Sequence, residues 1–224
     1  MPEELPFRVF DRNEDVFLHE RRLPHWAQNG TLAFITFRMW DSMPERVVLR
    51  WLAERNLWLL DHGINSNDPN WKSQFEQLEH HVQQEFHRRF SARWHDELDH
   101  CHGSCVLKQA ELAETVAVSL KHFDGDRYEL TDFIIMPNHV NLLAAFADAE
   151  RMLAQCESWK HFTATQINRQ LGRCGRFWQQ DGFDHLIRSL EQFERLRKYI
   201  ADNPEKAGLP RDSALHFAKD LMRR

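Results

Sequence analysis

The sequence contains little glycine and proline and few cysteines. Eight Gly and eight Pro among 224 residues exclude a collagen-like or low-complexity chain. Four cysteines are too few for a disulfide framework in a chain of this size, so a reduced cytoplasmic location is expected. No apolar run approaches the ~20 residues of a membrane-spanning helix, and the first residues lack the apolar segment of a signal peptide. The sequence therefore predicts a cytoplasmic protein with no membrane partner.

The charge of the chain is distributed unevenly. The formal net charge is -5, yet residues 151–200 carry 9 Lys and Arg against 5 Asp and Glu, whereas residues 1–150 carry 15 against 25. Only local charge acts beyond a Debye length of about 8–10 Å. The late basic segment therefore permits a polyanionic partner despite the negative total.

The hydrophobic pattern predicts alternating strands and helices. Strands are expected at 31–40, 128–136 and 140–146, and helices at about 45–59, 71–98, 109–122, 150–171 and 189–201. This order favours an α+β fold with an antiparallel sheet, in which the last two strands form a hairpin. We expect an N-terminal arm at 1–30, a domain at 31–210 with a helical insertion at about 65–100, and a C-terminal tail at 211–224.

The first candidate site lies in the segment MPNHVNLL at 136–143. In a strand beginning here, His139 and Asn141 point to one face and Val140 points to the other, because side chains alternate with period two. Two neighbouring nitrogen or oxygen donors can hold a divalent cation. Alternatively, the two side chains only satisfy backbone groups in a hairpin turn.

The second candidate site lies at the end of the last helix. Tyr199 is one of only two Tyr in a chain with 16 Phe and 8 Trp, so a rare hydroxyl suggests a specific task. Asn203 follows four residues later, on the same helical face. Alternatively, Tyr199 is an ordinary surface residue and Asn203 ends the helix.

Both sites belong to one ordered set of motifs. The set comprises LPHW at 23–26, FITFR at 34–38, DSMP at 41–44, FDG at 123–125, MPNHV at 136–140, WK at 159–160, FTA at 162–164, FW at 177–178, FD at 183–184, IR at 187–188, YI at 199–200, NP at 203–204 and KAGL at 206–209. In this order and spacing the sequence resembles the REP-associated tyrosine transposases, a branch of the HUH single-strand transposases. The resemblance covers nearly the whole chain.

The resemblance implies a fold, a reaction and a set of site residues. It implies a ferredoxin-like antiparallel sheet with helices packed on it and a nucleophile-bearing helix near the central strand. Tyr199 would attack a phosphate of hairpin-bearing, REP-like single-stranded DNA to form a 5'-phosphotyrosine link. His139, Asn141 and Asn203 would hold Mg²⁺ or Mn²⁺, and the chain would act as a monomer rather than a homodimer.

The basic segment supplies candidate DNA-binding residues, namely Lys160, Arg173, Arg176, Arg188 and Lys198. Such cations contact phosphates and give affinity without sequence preference. The alternative for Lys160 is a solvated basic helix face, and the alternative for Arg188 is an ion pair with Asp184 one helical turn earlier.

The sequence departs from the family at one ligand position. The second His of the HUH pair is Asn141 here, and an amide oxygen is a weaker donor than an imidazole nitrogen. Three hypotheses follow: a strand transferase, a hairpin-binding protein of the same fold that does not cleave, and a generic RNA-binding domain, which leaves Tyr199 unexplained.

Overall fold

The structure is a computed structural model that describes residues 7–11, 17–20, 24–92, 101–180 and 183–221. Its contacts divide the chain into two compact units. The first combines the residues up to Trp40 with those from Ser104 onward, and the second spans Asp41–Gly103. Each unit has a separate hydrophobic core.

The first unit is built on an antiparallel sheet. Its strands are β3 (Leu32–Arg38), β4 (Tyr128–Ile135), β5 (His139–Phe146), β6 (Phe183–Leu186) and β7 (Leu215–Ala218), and its main helices are α4 (Ala110–Lys121), α5 (Ala149–Gln170), α6 (Leu190–Ala201) and α7 (Asn203–Lys206). In the described part of the chain, five strands pair in the order β6-β3-β5-β4-β7. Each neighbouring pair is antiparallel. The strand order and the β-α-β-β-α-β sequence confirm the predicted ferredoxin-like α+β fold, to which β7 adds an edge strand.

One face of the sheet is covered by α4 and α5, which also pack on each other. Alternate residues of β3, such as Ala33, Ile35 and Phe37, point into this core. Trp159 of α5 is 1% exposed within it. Asp148 begins α5 by accepting a hydrogen bond from the N–H of Arg151 at 2.8 Å. The predicted helix and strand boundaries agree here to within one or two residues.

The other face of the sheet is covered by α6, which packs on β4 and β5. Ser189 caps this helix by accepting a hydrogen bond from the N–H of Gln192 at 3.1 Å. Arg197 Nε donates to Asp132 Oδ1 of β4 at 3.0 Å. Since both faces are covered, every residue of the central strand β5 is buried.

The C-terminal segment was predicted to be a tail, but residues 215–218 form β7 beside β4. Phe217 stacks on Phe133 with ring centroids 5.1 Å apart. Lys219 Nζ forms ion pairs with Asp124 at 3.1 Å and Glu129 at 3.4 Å. A strand of four residues is too short for its alternation to be recognised in the sequence, and this one is fixed by tertiary contacts. Residues 222–224 lie outside the described residues.

The N-terminal segment contacts the sheet unit along residues 7–11. The N–H of Phe10 donates to Ile187 O at 2.8 Å, and the Phe7 ring packs edge-on against Phe193 of α6 at 4.9 Å. Two short strands, β1 (Phe17–Glu20) and β2 (Pro24–Ala27), pair antiparallel. The rest of the predicted arm, residues 1–6, 12–16 and 21–23, lies outside the described residues.

The second unit differs from the predicted insertion. It contains α1 (Glu45–Asp61), α2 (Trp71–Glu76) and α3 (His80–Phe86), and α3 continues as a π-helical turn at His87–Ala92. The single helix predicted at 71–98 is therefore broken after α2. The unit begins at Asp41 rather than near residue 65, because Trp58 and Leu59 of α1 share a core with the aromatic residues of α2 and α3. Residues 93–100 lie outside the described residues.

A search of the described residues finds no helix whose length and hydrophobicity would suit it to span a membrane.

Replacing Arg197 by Met is expected to lower the free energy of unfolding by about 3 kcal/mol, because it leaves the buried carboxyl of Asp132 without its partner. Burial already raises the pKa of Asp132 and Arg197 lowers it, so the variant's pKa should rise further. The folded variant then binds a proton more tightly than the unfolded chain. Its stability should fall as the pH rises from the unfolded pKa of about 4 through the raised folded value. Urea denaturation between pH 4 and pH 8 measures both effects.

The double variant Arg197→Met/Asp132→Asn should lose this pH dependence, because the ionisable group is gone. Arg211→Met is a matched surface control, since the Arg211 side chain is exposed and its pair with Glu205 is long, at 3.6 Å. An Arg197→Met variant with the same pH dependence as the unmodified protein would contradict the coupling of Arg197 to Asp132.

Candidate functional site

The hairpin turn between β4 and β5 is buried and held by backbone hydrogen bonds. The N–H of Met136 donates to His139 O at 2.8 Å and closes the turn. The turn also accepts from outside: the N–H of Met39 donates to Asn138 O at 2.8 Å, and the N–H of Leu107 donates to Pro137 O at 3.1 Å. The start of β5 is thus fixed by three separate segments of the chain.

Alternation along β5 separates the polar residues from the core. Val140 belongs to the core beneath α4 and α5. His139 and Asn141 therefore face the α6 side of the sheet, and both are buried. Their cross-strand partners on β3 are Arg38 and Thr36, respectively.

The imidazole of His139 is completely buried and oriented by its neighbour. Its Nδ1 lies 2.8 Å from Asn138 Oδ1. Because an amide oxygen only accepts hydrogen bonds, Nδ1 carries the proton and Nε2 keeps its lone pair. Nε2 has no hydrogen-bond partner among the described residues. Burial, reinforced by the Arg38 guanidinium, holds the pKa of His139 well below its usual range. The ring is therefore neutral.

Asn203 reaches the same place from α7. Its side chain is buried, and it lies near the His139 ring, whose pKa it acts to raise. No hydrogen bond of ordinary geometry joins the two groups, and both Oδ1 and Nδ2 of Asn203 lack a partner among the described residues. Asn203 is held by its backbone, since its carbonyl accepts from the N–H of Ala207 at 3.1 Å. Residues 64 positions apart in sequence thus present unpaired polar atoms in one buried space.

Asn141 is held differently. The Thr36 hydroxyl donates to Asn141 Oδ1 at 2.7 Å. Its Nδ2 has no hydrogen-bond partner among the described residues. One of the two lone pairs of the oxygen that could bind a cation is therefore engaged, and the unpaired atom is a donor.

The donor chemistry fits a divalent cation at two of the three predicted positions. His139 Nε2 and Asn203 Oδ1 are unpaired acceptors, and a His whose other nitrogen donates to a carbonyl oxygen is the usual arrangement for a ligating imidazole. Mn²⁺ accepts imidazole nitrogen, and both Mn²⁺ and Mg²⁺ accept amide oxygen. Asn141 fits less well. No cluster of three or more His, Cys, Asp or Glu suited to a metal occurs in the part of the chain that the structure describes.

Tyr199 lies on the sheet-facing side of α6 and is half-buried. Its ring packs edge-on against Phe34 of β3, with centroids 6.0 Å apart, and Lys206 Nζ lies 4.2 Å from its centroid. Phe34 precedes Thr36 by two residues and Arg38 by four, which is about 7 and 13 Å along the strand. Tyr199 therefore shares a sheet face with the buried polar residues and lies farther along it.

Three of the predicted DNA-binding residues lie at one end of the sheet. Lys160 and Arg176 line a shallow pocket of about 290 Å³, and the Arg173 guanidinium lies 5.6 Å from the centre of the Phe177 ring. The segment around Phe177 follows the end of β3, because the N–H of Gln179 donates to Arg38 O at 2.8 Å. Arg38 is the cross-strand partner of His139, so this basic group lies at the His139 end of the sheet.

The other two predicted DNA-binding residues lie elsewhere. Arg188 follows β6, which ends opposite Ala33 of β3, about 17 Å along the strand from Arg38. The helical spacing assumed for an ion pair with Asp184 was wrong, because residues 183–186 form a strand. Lys198 is exposed on α6 and pairs with Asp202 at 2.6 Å.

Sequence reasoning missed four residues around the site: Thr36, Arg38, Asn138 and Lys206. Asn138 carries the clearest signal, since it directly precedes His139 in the turn. Thr36 and Arg38 become neighbours only through the β3–β5 register, which a single sequence does not reveal.

The comparisons with known proteins yield one structural likeness. A scan against protein-family models finds no match, and a search of the curated proteins finds no similar sequence. Among solved structures, the chain is similar to one described as "Structure of the REP associates tyrosine transposase bound to a REP hairpin", at a TM-score of 0.44 and 13% identity. The match covers 86% of this chain and 75% of that chain. A similarity at this level assigns neither a family nor an activity.

His139 is expected to remain the neutral Nδ1-protonated tautomer between pH 6 and pH 8, because its pKa is well below the usual value of about 6.5. Replacing Asn138 by Ala removes the acceptor of the Nδ1–H, which should mix the tautomers and cost about 1–3 kcal/mol of stability. Long-range ¹H–¹⁵N NMR of the imidazoles measures the tautomer, with His139→Gln as the assignment control.

The exposed His81, whose side chain is 74% exposed, gives the signal of a solvent-accessible imidazole for comparison. Asn67→Ala, which removes an exposed amide in the second unit, should leave the His139 signals unchanged. Protonation of His139 between pH 6 and pH 8 would contradict the described burial.

Proposed function

We propose that this chain is a metal-dependent, single-tyrosine DNA strand transferase that acts on hairpin-bearing single-stranded DNA. The observation that carries the proposal is the pair of unpaired, buried acceptors, His139 Nε2 and Asn203 Oδ1, beside the helix that bears Tyr199. The substrate class follows from the motif resemblance, which is independent of this geometry.

His139 and Asn203 would hold Mg²⁺ or Mn²⁺, with Asn141 as the third ligand. When bound, such an ion polarises a phosphate oxygen and stabilises the charge that develops during phosphoryl transfer. All three protein donors are neutral, so they would not compensate the positive charge of a bound ion. Such a site favours an anionic ligand, and a phosphodiester supplies the missing negative oxygen.

Tyr199 would act as the nucleophile. Its phenol oxygen forms a bond to phosphorus, the bond between phosphorus and the 3'-oxygen breaks, and the 3'-oxygen leaves as a hydroxyl after taking up a proton. The phenol proton passes to solvent. The product is a 5'-phosphotyrosine link, and attack by another 3'-hydroxyl reverses the step and rejoins strands. A phenol with a pKa near 10 is weakly nucleophilic at neutral pH, so nearby positive charge is required.

The basic group of Lys160, Arg173 and Arg176 would guide the strand toward His139. These side chains suit phosphate contacts rather than base readout. Phe177 and Trp178 are buried and unavailable for stacking. Trp40 is 59% exposed, and its backbone N–H donates to Phe177 O at 2.8 Å. It is therefore the aromatic side chain we propose for stacking on unpaired bases.

A second function, hairpin binding without cleavage, is favoured by one observation. Asn141 replaces the second histidine, and its oxygen already accepts from Thr36. A cation held by only two protein donors would bind weakly. Under this alternative the basic group keeps its role and Tyr199 loses its catalytic one.

The transferase predicts an SDS-stable protein–DNA adduct in the presence of Mn²⁺. Because the 5'-phosphate becomes attached, a hairpin substrate labelled at its 3' end should transfer its label to the protein, and one labelled at its 5' end should not. Tyr199→Phe and EDTA should each abolish the adduct, whereas Tyr128→Phe, which removes the other phenol of the chain, should retain it. Denaturing gel electrophoresis measures the outcome.

A wild-type protein that shifts the hairpin in a native gel but forms no adduct would support the non-cleaving alternative. An adduct that survives in Tyr199→Phe would contradict the assignment of the nucleophile.

Replacing Arg173 and Arg176 by Gln should weaken hairpin binding at every sequence and reduce its salt dependence. Each lost contact to a single-stranded phosphate lowers the slope of log K against log salt by about 0.7. Arg151→Gln is the matched control, because Arg151 lies on α5 near its start and pairs with Asp148. Fluorescence anisotropy between 50 and 200 mM salt measures the slopes. Equal slopes for all variants would show that Arg173 and Arg176 do not contact DNA phosphates.

A further inference from the structure

The ring of Tyr199 is contacted by residues of two different elements. Phe34 of β3 meets it edge-on at 6.0 Å, and the ammonium of Lys206 lies 4.2 Å from the ring centroid. This separation is well within the ~6 Å range of a cation–π contact. The two neighbours restrict how the ring can turn about its side-chain bonds.

The position of Lys206 is set by the buried start of α7. Asn203 and Pro204 are both buried, and the N–H of Lys206 donates to Asp202 O at 3.1 Å. The N–H of Leu209 returns to Pro204 O at 2.8 Å and closes the segment. The backbone of Lys206 is therefore anchored by the same turn that carries the proposed ligand Asn203, and only its side chain reaches out over the ring.

We infer that Lys206 is a positioning residue for Tyr199, which holds the aromatic ring by a cation–π contact and stabilises negative charge on the phenol oxygen. The inference rests on the proposed function for its catalytic meaning, but the contact itself is independent of DNA and metal. Lys206 belongs neither to the predicted metal ligands nor to the predicted DNA-binding residues, and the inference gives it a part in preparing the nucleophile.

Other charged groups near Tyr199 take part in ion pairs or are exposed. Lys198 of α6 and Asp202, which follows the last residue of that helix, form an ion pair at 2.6 Å, so their charges compensate each other. Arg195 precedes Tyr199 by one turn and is exposed, and Glu205 of α7 lies 3.6 Å from Arg211. His185 of β6 packs on Phe34, with the two ring centroids 5.5 Å apart.

A positive charge about 4 Å from the ring stabilises the phenolate more than the phenol, and it does so without contacting the phosphate. In surroundings as polar as water, this interaction corresponds to a change of about half to one unit in the phenol pKa. Removing the charge while keeping the side-chain length should therefore raise the pKa of Tyr199 by that amount.

The test uses ¹³C NMR of tyrosine labelled at the ζ carbon, in EDTA and without DNA. The chain has two tyrosines, so two resonances are expected, and Tyr128→Phe assigns them. Burial raises the pKa of Tyr128, which makes it an internal reference that Lys206 variants should not move. We expect Lys206→Met to raise the pKa of Tyr199 by about half to one unit and Lys206→Arg to retain the wild-type value.

Equal pKa values of Tyr199 in the wild type and in Lys206→Met would overturn the inference, whatever the protein does to DNA. A shift of both tyrosines together would also overturn it, because that result indicates a general loss of structure.

A second measurement follows adduct formation against pH. Lys206→Met should form the adduct several-fold more slowly than the wild type at both pH 7 and pH 9, because a phenol with a pKa near 10 is only a small fraction phenolate at either pH, and Lys206→Arg should keep the wild-type rate. Equal adduct rates in Lys206→Met and the wild type, or a loss that Lys206→Arg does not rescue, would overturn the inference. If the wild type forms no adduct, the proposed transferase fails, and the tyrosine titration still decides whether Lys206 acts on Tyr199.

Discussion

The arrangement of the site depends on polar side chains placed in a central strand that is buried on both sides. A buried polar atom without a partner costs about 1–3 kcal/mol. His139 Nε2, Asn141 Nδ2 and both polar atoms of the Asn203 side chain lack partners within the described residues. A strand that only had to fold would carry apolar residues here, as its other positions do. The cation of the proposed function would satisfy the two free acceptors, His139 Nε2 and Asn203 Oδ1, and leave the two amide N–H groups to other partners.

The helix α6 is attached to the rest of the first unit at several points along its length. Near its start Phe193 meets Phe7, in its middle Arg197 pairs with the buried Asp132, and near its end Tyr199 packs on Phe34. These contacts fix the rotation of α6 about its axis. The turn that follows can then deliver Asn203 to His139. The ion pair between Arg197 and Asp132 thus has a role in geometry as well as in stability.

The sequence predicted those parts of the fold that depend on local pattern. Period-two alternation predicted the opposite faces of Val140 and of the pair His139 and Asn141, and the predicted bounds of α5 and α6 agree with the structure to within one residue. The cross-strand partners of His139 depend on register, and register is set by packing of the whole sheet. The short strand β7 and the break between α2 and α3 also arise from tertiary contacts, which outweigh local preference. The motif resemblance singled out His139 and Asn203, which the structure brings together, but not the hydrogen bond from Thr36 to the oxygen of Asn141.

The negative net charge of the chain does not conflict with a polyanionic ligand. Arg38 of β3 lies near His139, and Lys206 lies over the ring of Tyr199. The basic group of Lys160, Arg173 and Arg176 lies at the same end of the sheet as His139. Of the excess of 10 acidic residues in residues 1–150, 4 belong to the second unit and 6 to the first. Charges separated by more than a Debye length are screened from each other at physiological salt. Under the proposed function, a phosphodiester beside His139 would meet neutral donors and nearby cations, so this local field rather than the total charge would govern its binding.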